Sequence, residues 1–92
     1  MFVWDKIKED ANIKKHGIAF AAAYDFENDS VIMFNRTRMA DEEERFAAVG
    51  FIYGKLHTMI YTPRSADIRV ISLRRSNRRE EKDYEKTIKK ED

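Results

Sequence analysis

The stretch that decides the fold lies between residues 45 and 75 and reads RFAAVGFIYGKLHTMIYTPRSADIRVISLRR. It consists of three runs rich in β-branched and aromatic residues, separated by the turn signals Gly54-Lys55 and Ser65-Ala66-Asp67. Consecutive strands joined by short turns pair as an antiparallel meander. The predicted strands cover residues 45–53, 56–62 and 68–75, and Pro63 ends the second of them.

A fourth strand completes the predicted sheet. Val31-Ile32-Met33-Phe34 forms a short apolar strand, and a polar loop over 35–41 follows it. In the strand over 68–75, strict alternation places Val70 on one face and Leu73 on the other. Apolar residues on both faces indicate a strand that is covered on both sides, at least in part.

Two helices are predicted ahead of the sheet. Residues 5–16 form the first, with Asp5 as its N-cap and Gly17 as its C-terminal stop. The alanine-rich run over 19–27 predicts a second, shorter helix. The apolar stripe predicted for the first helix consists of Trp4, Ile7 and Ala11.

A last helix is predicted from residue 78 to the late eighties. Asn77 and Glu80 stand three apart at its start, as in a capping box with Asn in place of Ser or Thr. Tyr84 and Ile88 form one narrow apolar stripe on an otherwise polar helix. The chain as a whole therefore predicts an α+β fold with two N-terminal helices, a four-stranded antiparallel sheet and a C-terminal helix.

Length and composition limit the class of protein. The 92 residues are the size of one domain, which we expect to span 1–92. Without cysteine, neither a disulfide framework nor a cysteine-based zinc site is available. The longest apolar runs are far shorter than the roughly 20 residues that span a membrane, and the apolar N-terminus is too short for a signal peptide. We therefore expect a cytoplasmic protein with no membrane partner.

Charge is balanced over the whole chain but not along it. Charged residues make up 38% of the sequence, yet the formal net charge is only +1. Between residues 64 and 79 there are six arginines and a single acidic residue, Asp67, whereas acidic residues cluster over 41–44. A locally basic surface attracts phosphate even when the net charge is near zero.

The residue types present favour a reaction that needs no cofactor. The three glycines are scattered, and the two histidines lack the spacing of metal ligands, so we expect no nucleotide loop, cofactor or metal site. RNA carries its own nucleophile, the 2′-hydroxyl, so metal-free cleavage needs only a base, an acid and cations that stabilise the transition state. The side chains that could serve are Lys8, Lys15, His16, Glu44, Arg45, Arg64 and Arg74.

Several of these residues also have an ordinary structural interpretation. His16 could satisfy carbonyl groups at a helix C-terminus, and Lys8 and Lys15 could lie on a solvated face or form a phosphate-facing ridge. Glu44-Arg45 could be an exposed ion pair of little energetic value. His57 lies in a predicted strand, where a structural or surface role is the ordinary expectation.

Several motifs occur in a specific order along the chain. They are Trp4-Asp5, Lys8, Asn12, Lys15-His16-Gly17-Ile18 with Phe20, Phe26 with Asp29, Glu44-Arg45 with Gly50, Tyr61-Thr62-Pro63-Arg64, and Arg69-Val70-Ile71-Ser72-Leu73-Arg74 followed by Arg78-Arg79-Glu80 and Tyr84. In order and spacing this series resembles the BrnT family of ribonuclease toxins over nearly the whole chain. One departure is Leu73, where the family usually has alanine.

The resemblance to the BrnT family implies a function. It implies a fold similar to the RelE and ParE toxins and an endoribonuclease that inhibits translation by cleaving RNA. It also implies neutralisation by a BrnA-type antitoxin, with operator DNA bound only through the toxin–antitoxin complex. The implied catalytic residues are His16, Glu44, Arg64 and Arg74, and the implied substrate-binding residues are Lys8, Lys15, Arg45 and Arg78.

The alternative is a non-catalytic module of the same fold that binds RNA or protein through the same basic surface. The residue types do not separate the two hypotheses, nor do they assign the base and the acid between His16 and Glu44. Growth arrest on expression, relieved by a co-expressed antitoxin, would distinguish a toxin from an inactive binding module.

Overall fold

The computed structural model describes residues 1–91, and within them five strands form one mixed sheet. The strands are β1 (Phe2–Val3), β2 (Ile32–Asn35), β3 (Phe46–Ile52), β4 (Lys55–Arg64) and β5 (Asp67–Arg75). Strands β2 to β5 form the predicted antiparallel meander, and the order across the sheet is β1-β5-β4-β3-β2. The α+β class is confirmed, but the four-stranded antiparallel sheet is wrong, because β1 adds a parallel strand beside β5. Two residues are too few to show a period-2 pattern.

Residues 1–91 contain two α-helices, α1 (Lys6–His16) and α2 (Arg78–Glu91). The second helix predicted over 19–27 does not match in detail, since the chain forms a 3-10 helix at Phe20–Asp25, inside that range, and another at Asn28–Ser30, beyond it. In a 3-10 helix residues three apart lie on the same side. Phe20 and Ala23, three apart, are both buried in the core, which the tighter winding allows.

The caps of α1 are those that the sequence predicts. The Asp5 carboxylate accepts a hydrogen bond from the Ile7 N–H at 2.9 Å. Gly17 has a φ of 72°, a left-handed conformation that costs glycine little, and its N–H donates to the Ile13 carbonyl. The apolar stripe predicted for this helix is wrong: Ile7 is 78% exposed, and the helix buries Glu9 and Asn12 instead.

Polar side chains hold α1 against the sheet. The Asn12 amide group donates to the Ile18 and Leu73 carbonyls, and its oxygen accepts from the Leu73 N–H at 3.2 Å. Because β1 pairs with β5 only as far as Arg69, Asn12 takes the place of a neighbouring strand at the open edge of β5. The Glu9 carboxylate accepts from the buried Phe20 N–H at 3.0 Å. These bonds position α1 along β5 without an apolar interface.

A β-bulge changes which residues of β5 share a face. Ile60 pairs with Ser72 and Tyr61 pairs with Val70, so Ile71 has no opposite residue in β4. As a result Val70 and Leu73 are both fully buried in the same core, although strict alternation had placed them on opposite faces. The assignment of β5 residues to the two faces, as predicted from strict alternation, is therefore wrong for the residues on one side of Ile71.

The strand ends also differ from the sequence prediction. The turn between β3 and β4 is Tyr53-Gly54, with φ values of 48° and 77°, and Lys55 already belongs to β4. Pro63 does not end β4 but pairs with Ile68 of β5. Since β3 begins at Phe46, opposite Tyr61, no residue of β3 needs an N–H from Pro63.

The two faces of the sheet are covered differently. The core face carries Met59, Tyr61 and Leu73 and packs against the Phe20–Asp25 segment. Phe20 and Tyr61 are buried there, and Trp4, Phe26 and Phe46 pack against the same core while remaining partly exposed. The opposite face, which we call the far face, carries the alternate residues Thr58, Thr62, Arg69 and Arg74.

Helix α2 covers part of the far face. Its capping box is confirmed, because the Asn77 N–H donates to Glu80 at 2.8 Å and the Glu80 N–H donates back to the Asn77 side chain at 2.9 Å. The Tyr84 ring packs edge-on against Phe51, and its hydroxyl donates to the Ser30 carbonyl at 2.6 Å. The buried Tyr84 therefore anchors a helix whose other residues, apart from the partly exposed Ile88, are polar.

Candidate functional site

A basic pocket of about 350 Å³ opens at the end of the sheet where β4 turns into β5. Arg64 is the last residue of β4, and Arg69 lies opposite Thr62 on the far face. Arg45 stands just before β3, and α1 contributes Lys8. The lining, which defines what we call the Arg64 pocket, is Lys8, Ala40, Asp41, Glu42, Glu43, Arg45, Thr62, Arg64, Arg69 and Ile71.

Cations and carboxylates face each other across the Arg64 pocket. The Arg64 guanidinium lies 2.9 Å from Glu43 Oε1, with both side chains about half exposed, so this ion pair contributes little to stability. Within residues 1–91, no ion pair involves Lys8, Arg45 or Arg69. These three cations are available to an anionic ligand, and Arg64 becomes available when Glu43 is displaced.

The acidic segment at the rim of the pocket is fixed at one end. Both Asp41 carboxylate oxygens accept from the Arg38 guanidinium, and one also accepts from the Arg38 N–H at 2.8 Å. These side-chain and backbone hydrogen bonds hold the pKa of the Asp41 carboxyl below its usual range. Asp41 therefore stays ionised, and its bonds to Arg38 anchor the segment that carries Glu43.

Arg74 lies outside the Arg64 pocket, near the other end of β5. Its guanidinium donates two hydrogen bonds to Glu80, at 2.7 and 2.9 Å, in the bidentate arrangement that arginine favours. The side-chain hydrogen bond to Glu80 raises the pKa of Arg74. Burial works to raise the pKa of the Glu80 carboxyl, but hydrogen bonds from Arg74 and Asn77 outweigh it and hold that pKa below its usual range. The pair ties the start of α2 to β5.

His16 also lies away from the Arg64 pocket. It ends α1 and lines a second cavity, of about 550 Å³, which we call the His16 groove. The other lining residues are Gly17, Ile18, Ala19, Ala22, Ile52, Tyr53, Lys55, His57 and Arg75. On β5, Arg69 lines the Arg64 pocket and Arg75 lines the His16 groove. The two arginines stand six residues apart along the strand, which is about 20 Å.

The remaining predicted site residues are exposed and line neither cavity. Glu44 stands between Glu43 and Arg45 in the segment beside the Arg64 pocket. Lys15 is on the last turn of α1, and Arg78 is the first residue of α2. Of the eight residues predicted from sequence, the structure thus brings together Lys8, Arg45 and Arg64.

Sequence reasoning missed Arg69 as a site residue. Its signal lay in the hairpin: Arg64 and Arg69 flank the Ser65-Ala66 turn, and an antiparallel pairing across that turn puts Arg69 opposite Thr62. Within residues 1–91 no three His, Cys, Asp or Glu side chains are grouped to hold a metal ion. In the same part of the chain no helix has the length and apolar character needed to cross a membrane.

A protein-family model matches most of the chain. The family model, described as "Ribonuclease toxin, BrnT, of type II toxin-antitoxin system", matches residues 4–80, which is 77 of the 92 residues. The matched region contains α1, strands β2 to β5, the Arg64 pocket and the capping box at the start of α2. A search of curated protein sequences finds no match.

Proposed function

The chain belongs to the BrnT family of type II toxin–antitoxin ribonuclease toxins, and we propose that it is a metal-independent endoribonuclease that inhibits translation. The observation that supports this activity most directly is the convergence of four cations, Lys8, Arg45, Arg64 and Arg69, on one pocket of about 350 Å³. Guanidinium groups match phosphate oxygens in geometry and charge, so this pocket is suited to an RNA phosphodiester.

In the proposed reaction the 2′-hydroxyl of RNA attacks the adjacent phosphorus while the bond to the 5′-oxygen breaks. The leaving 5′-oxygen takes a proton from water, so the products are a 2′,3′-cyclic phosphate and a 5′-hydroxyl end. Arg64 and Arg69 stabilise the negative charge that develops on the phosphoryl oxygens, and Lys8 binds a neighbouring phosphate. Incoming phosphate takes the place of the Glu43 carboxylate on Arg64.

The base that accepts the 2′-hydroxyl proton is, in this proposal, a carboxylate of the segment beside the pocket. Glu43 lines the pocket and Glu44 follows it directly. His16 lies at the other end of α1, too far from Arg64 to act on the same phosphate. Arg74 is assigned a positioning role, because its guanidinium is already bound by Glu80.

The test is cleavage of an unstructured RNA by the purified protein in EDTA, with analysis of the 3′ ends. We expect 2′,3′-cyclic phosphate products from the wild type and a loss of at least tenfold in rate for Arg64→Ala. Arg79→Ala, which removes an equal charge from exposed surface outside the pocket, is the matched control and should cleave normally. Cleavage only with added magnesium, or full activity of folded Arg64→Ala, would contradict the proposal.

The same assay identifies the base. Glu43→Gln and Glu44→Gln each remove one carboxylate while keeping its shape. The variant that binds RNA at wild-type affinity or better, yet cleaves at least a hundredfold more slowly, marks the general base. If both variants cleave normally, no carboxylate of this segment is the base.

A second candidate function is RNA binding without cleavage. The observation that favours it is the ion pair between Arg64 and Glu43, which neutralises the central arginine of the pocket. An RNA with 2′-deoxy sugars lacks the nucleophile and can only be bound. Equal and stable binding of the 2′-deoxy RNA and normal RNA, with no products from the latter, would identify a binding module.

The partners are proposed on the basis of the family. An antitoxin of the BrnA type neutralises the toxin in the cytoplasm, and operator DNA is bound only through their complex. Expression of the chain alone should arrest bacterial growth, and co-expression with a BrnA-type antitoxin should restore it. A gel-shift assay should show operator binding by the complex and none by the toxin, and binding by the toxin alone would contradict this assignment.

A further inference from the structure

Helix α1 connects the Arg64 pocket and the His16 groove. Lys8, near its start, lines the Arg64 pocket, and His16, its last residue, lines the His16 groove. The helix has 11 residues and is therefore about 16 Å long. Lys8 and Lys15 are both exposed and stand seven residues apart, which is two turns, so they lie on one face of the helix. A chain of phosphates that follows this face meets a cation at each end.

One histidine of the His16 groove is fixed in a single orientation. His57 is only 8% exposed, and its Nδ1 lies 2.7 Å from the Lys55 carbonyl oxygen. Since a carbonyl can only accept, Nδ1 carries a proton, and in the neutral ring Nε2 is a hydrogen-bond acceptor. Within residues 1–91 no fully buried side-chain nitrogen or oxygen lacks a partner. The described residues provide no partner for Nε2, so this atom is not fully buried. A ligand can therefore reach it from the groove that His57 lines.

The rest of the His16 groove combines apolar, aromatic and cationic groups. Tyr53 is 81% exposed in the β3–β4 turn, next to an apolar floor of Ile18, Ala22 and Ile52. Lys55 and Arg75 supply positive charge, and none of the lining residues is acidic. An aromatic ring beside cations is the combination by which proteins hold single-stranded nucleic acid, because the base stacks while the backbone contacts the charges.

We propose that the His16 groove is a second RNA-binding site, which holds one nucleotide of a single-stranded segment running along α1 from the Arg64 pocket. The base stacks on Tyr53 and donates an N–H to His57 Nε2. Lys55 and Arg75 contact the phosphate of this nucleotide, and Lys15 contacts the strand on its way there. This inference rests on the proposed function, since it extends the RNA that is bound at Arg64.

The experiment measures binding of fluorescent oligonucleotides that carry 2′-deoxy sugars throughout, the DNA counterparts of the RNA strands, so that cleavage does not interfere. Unstructured strands of four and twelve nucleotides are compared by fluorescence anisotropy. The groove variants are Tyr53→Ala and the double variant Lys55→Ala/Arg75→Ala. Tyr53→Phe keeps the stacking ring, and the double variant Lys82→Ala/Lys86→Ala removes the same charge from the exposed surface of α2. Arg64→Ala reports on the Arg64 pocket.

We expect the twelve-nucleotide strand to bind more tightly than the four-nucleotide strand. Tyr53→Ala should weaken binding of the longer strand by about fivefold or more, the range given by loss of one stacked base. Tyr53→Phe should restore it. Lys55→Ala/Arg75→Ala should also flatten the salt dependence, by roughly 0.7 in slope for each phosphate that the groove no longer neutralises. In both groove variants the difference in affinity between the twelve-nucleotide and the four-nucleotide strand should be smaller than in the wild type.

The outcomes separate this inference from the proposed function. If Arg64→Ala weakens binding while the groove variants bind the longer strand as the wild type does, the second site is refuted and the proposed function stands. If Arg64→Ala binds and cleaves normally, the proposed function fails, whatever the groove variants do. Groove variants that leave RNA affinity unchanged but lose affinity for the antitoxin would show that the groove is a protein-binding surface, which overturns the inference.

Discussion

Glu43 occupies the position on Arg64 that a phosphate would take. The bond between them is 2.9 Å long, but both side chains are about half exposed, so the carboxylate competes only weakly. An exposed ion pair of this kind contributes about 0.2–1 kcal/mol, which corresponds to roughly 1.4-fold to fivefold in a binding constant. The structure therefore presents Glu43 as a weak internal competitor of RNA.

We predict that Glu43→Gln raises the affinity for 2′-deoxy RNA by about two- to fivefold, because Arg64 no longer has to exchange partners. Glu42→Gln is the control, since Glu42 lines the same pocket and has no ion pair within the described residues. Glu42→Gln should raise the affinity less, because it removes one negative charge near the pocket but no partner of Arg64. Fluorescence anisotropy at two salt concentrations measures both, and weaker binding by Glu43→Gln would refute the competition.

At the level of elements, hydrogen bonds rather than apolar contacts attach α1 to the sheet. Asn12→Ala leaves the N–H and carbonyl of Leu73 without partners at a buried site. We predict a loss of about 2–4 kcal/mol in the free energy of unfolding, from two backbone groups at about 1–3 kcal/mol each with partial relaxation. Ile7→Ala should change stability by less than about 0.5 kcal/mol, because Ile7 is exposed.

Urea unfolding of the two variants decides between the sequence and structural descriptions of α1. The apolar stripe predicted from sequence requires a large loss for Ile7→Ala and a small one for Asn12→Ala. The structure requires the opposite order. A larger loss for Ile7→Ala would mean that the helix faces the sheet with its apolar side.

The start of α2 depends on the ion pair between Arg74 and Glu80. The pKa of Glu80 is held below its usual value, so the pair stabilises the folded state above the pKa of the unfolded carboxyl, about 4.3. That contribution is lost as the pH falls through the lower pKa of the folded protein. We predict that Glu80→Gln is less stable than the wild type at pH 7 and that the difference narrows toward pH 3.

The expected loss for Arg74→Ala at pH 7 is about 1–3 kcal/mol, because the partly buried Glu80 carboxylate keeps its charge without its partner. Urea unfolding across the pH range measures this variant alongside Glu80→Gln. Arg79→Ala is the control, because Arg79 is an exposed arginine of α2, the helix that carries Glu80. A difference between Glu80→Gln and the wild type that does not change with pH would show that the ion pair contributes nothing to folding.

The sequence predicts those parts of the fold whose interactions join residues close together along the chain. The caps at Asp5, Gly17 and Asn77 involve partners within four residues, and the sequence predicts all three. Asn12 bonds to a strand 61 residues away, so helical periodicity does not predict its burial. The same holds for β1, whose parallel partner lies 66 residues along the chain.

The candidate site follows the same rule. Arg64 and Arg45 could be singled out because they stand at strand ends, where functional residues concentrate. Arg69 was missed because its membership depends on the β4–β5 register, which only the pairing across the hairpin reveals. His16 and Arg74 were grouped with Arg64 by residue type and by the resemblance to the BrnT family, and neither of these gives a distance between side chains. Their separation from it depends on the three-dimensional course of α1 and β5, which no local pattern gives.

On the scale of the whole molecule, the net charge of +1 hides two cation-lined cavities at opposite ends of β5. Binding to RNA depends on the phosphates that the cations neutralise and not on the net charge. With about five or more phosphates bound along both cavities and α1, we predict a slope of about −3.5 or steeper in a plot of log affinity against log salt. A slope shallower than about −1, measured with a twelve-nucleotide RNA, would contradict the two-cavity description.

The unpaired Ile71 has a consequence for how positive charge is distributed between these cavities. In an unbroken strand Arg69 and Arg75, an even number of residues apart, project to the same side. The single extra residue shifts the phase of the strand by one, so Arg69 is delivered to one surface and Arg75 to the other. A strand of the same length without the bulge would direct both arginines to one side, so one bulge sorts the charges of a single strand between two surfaces.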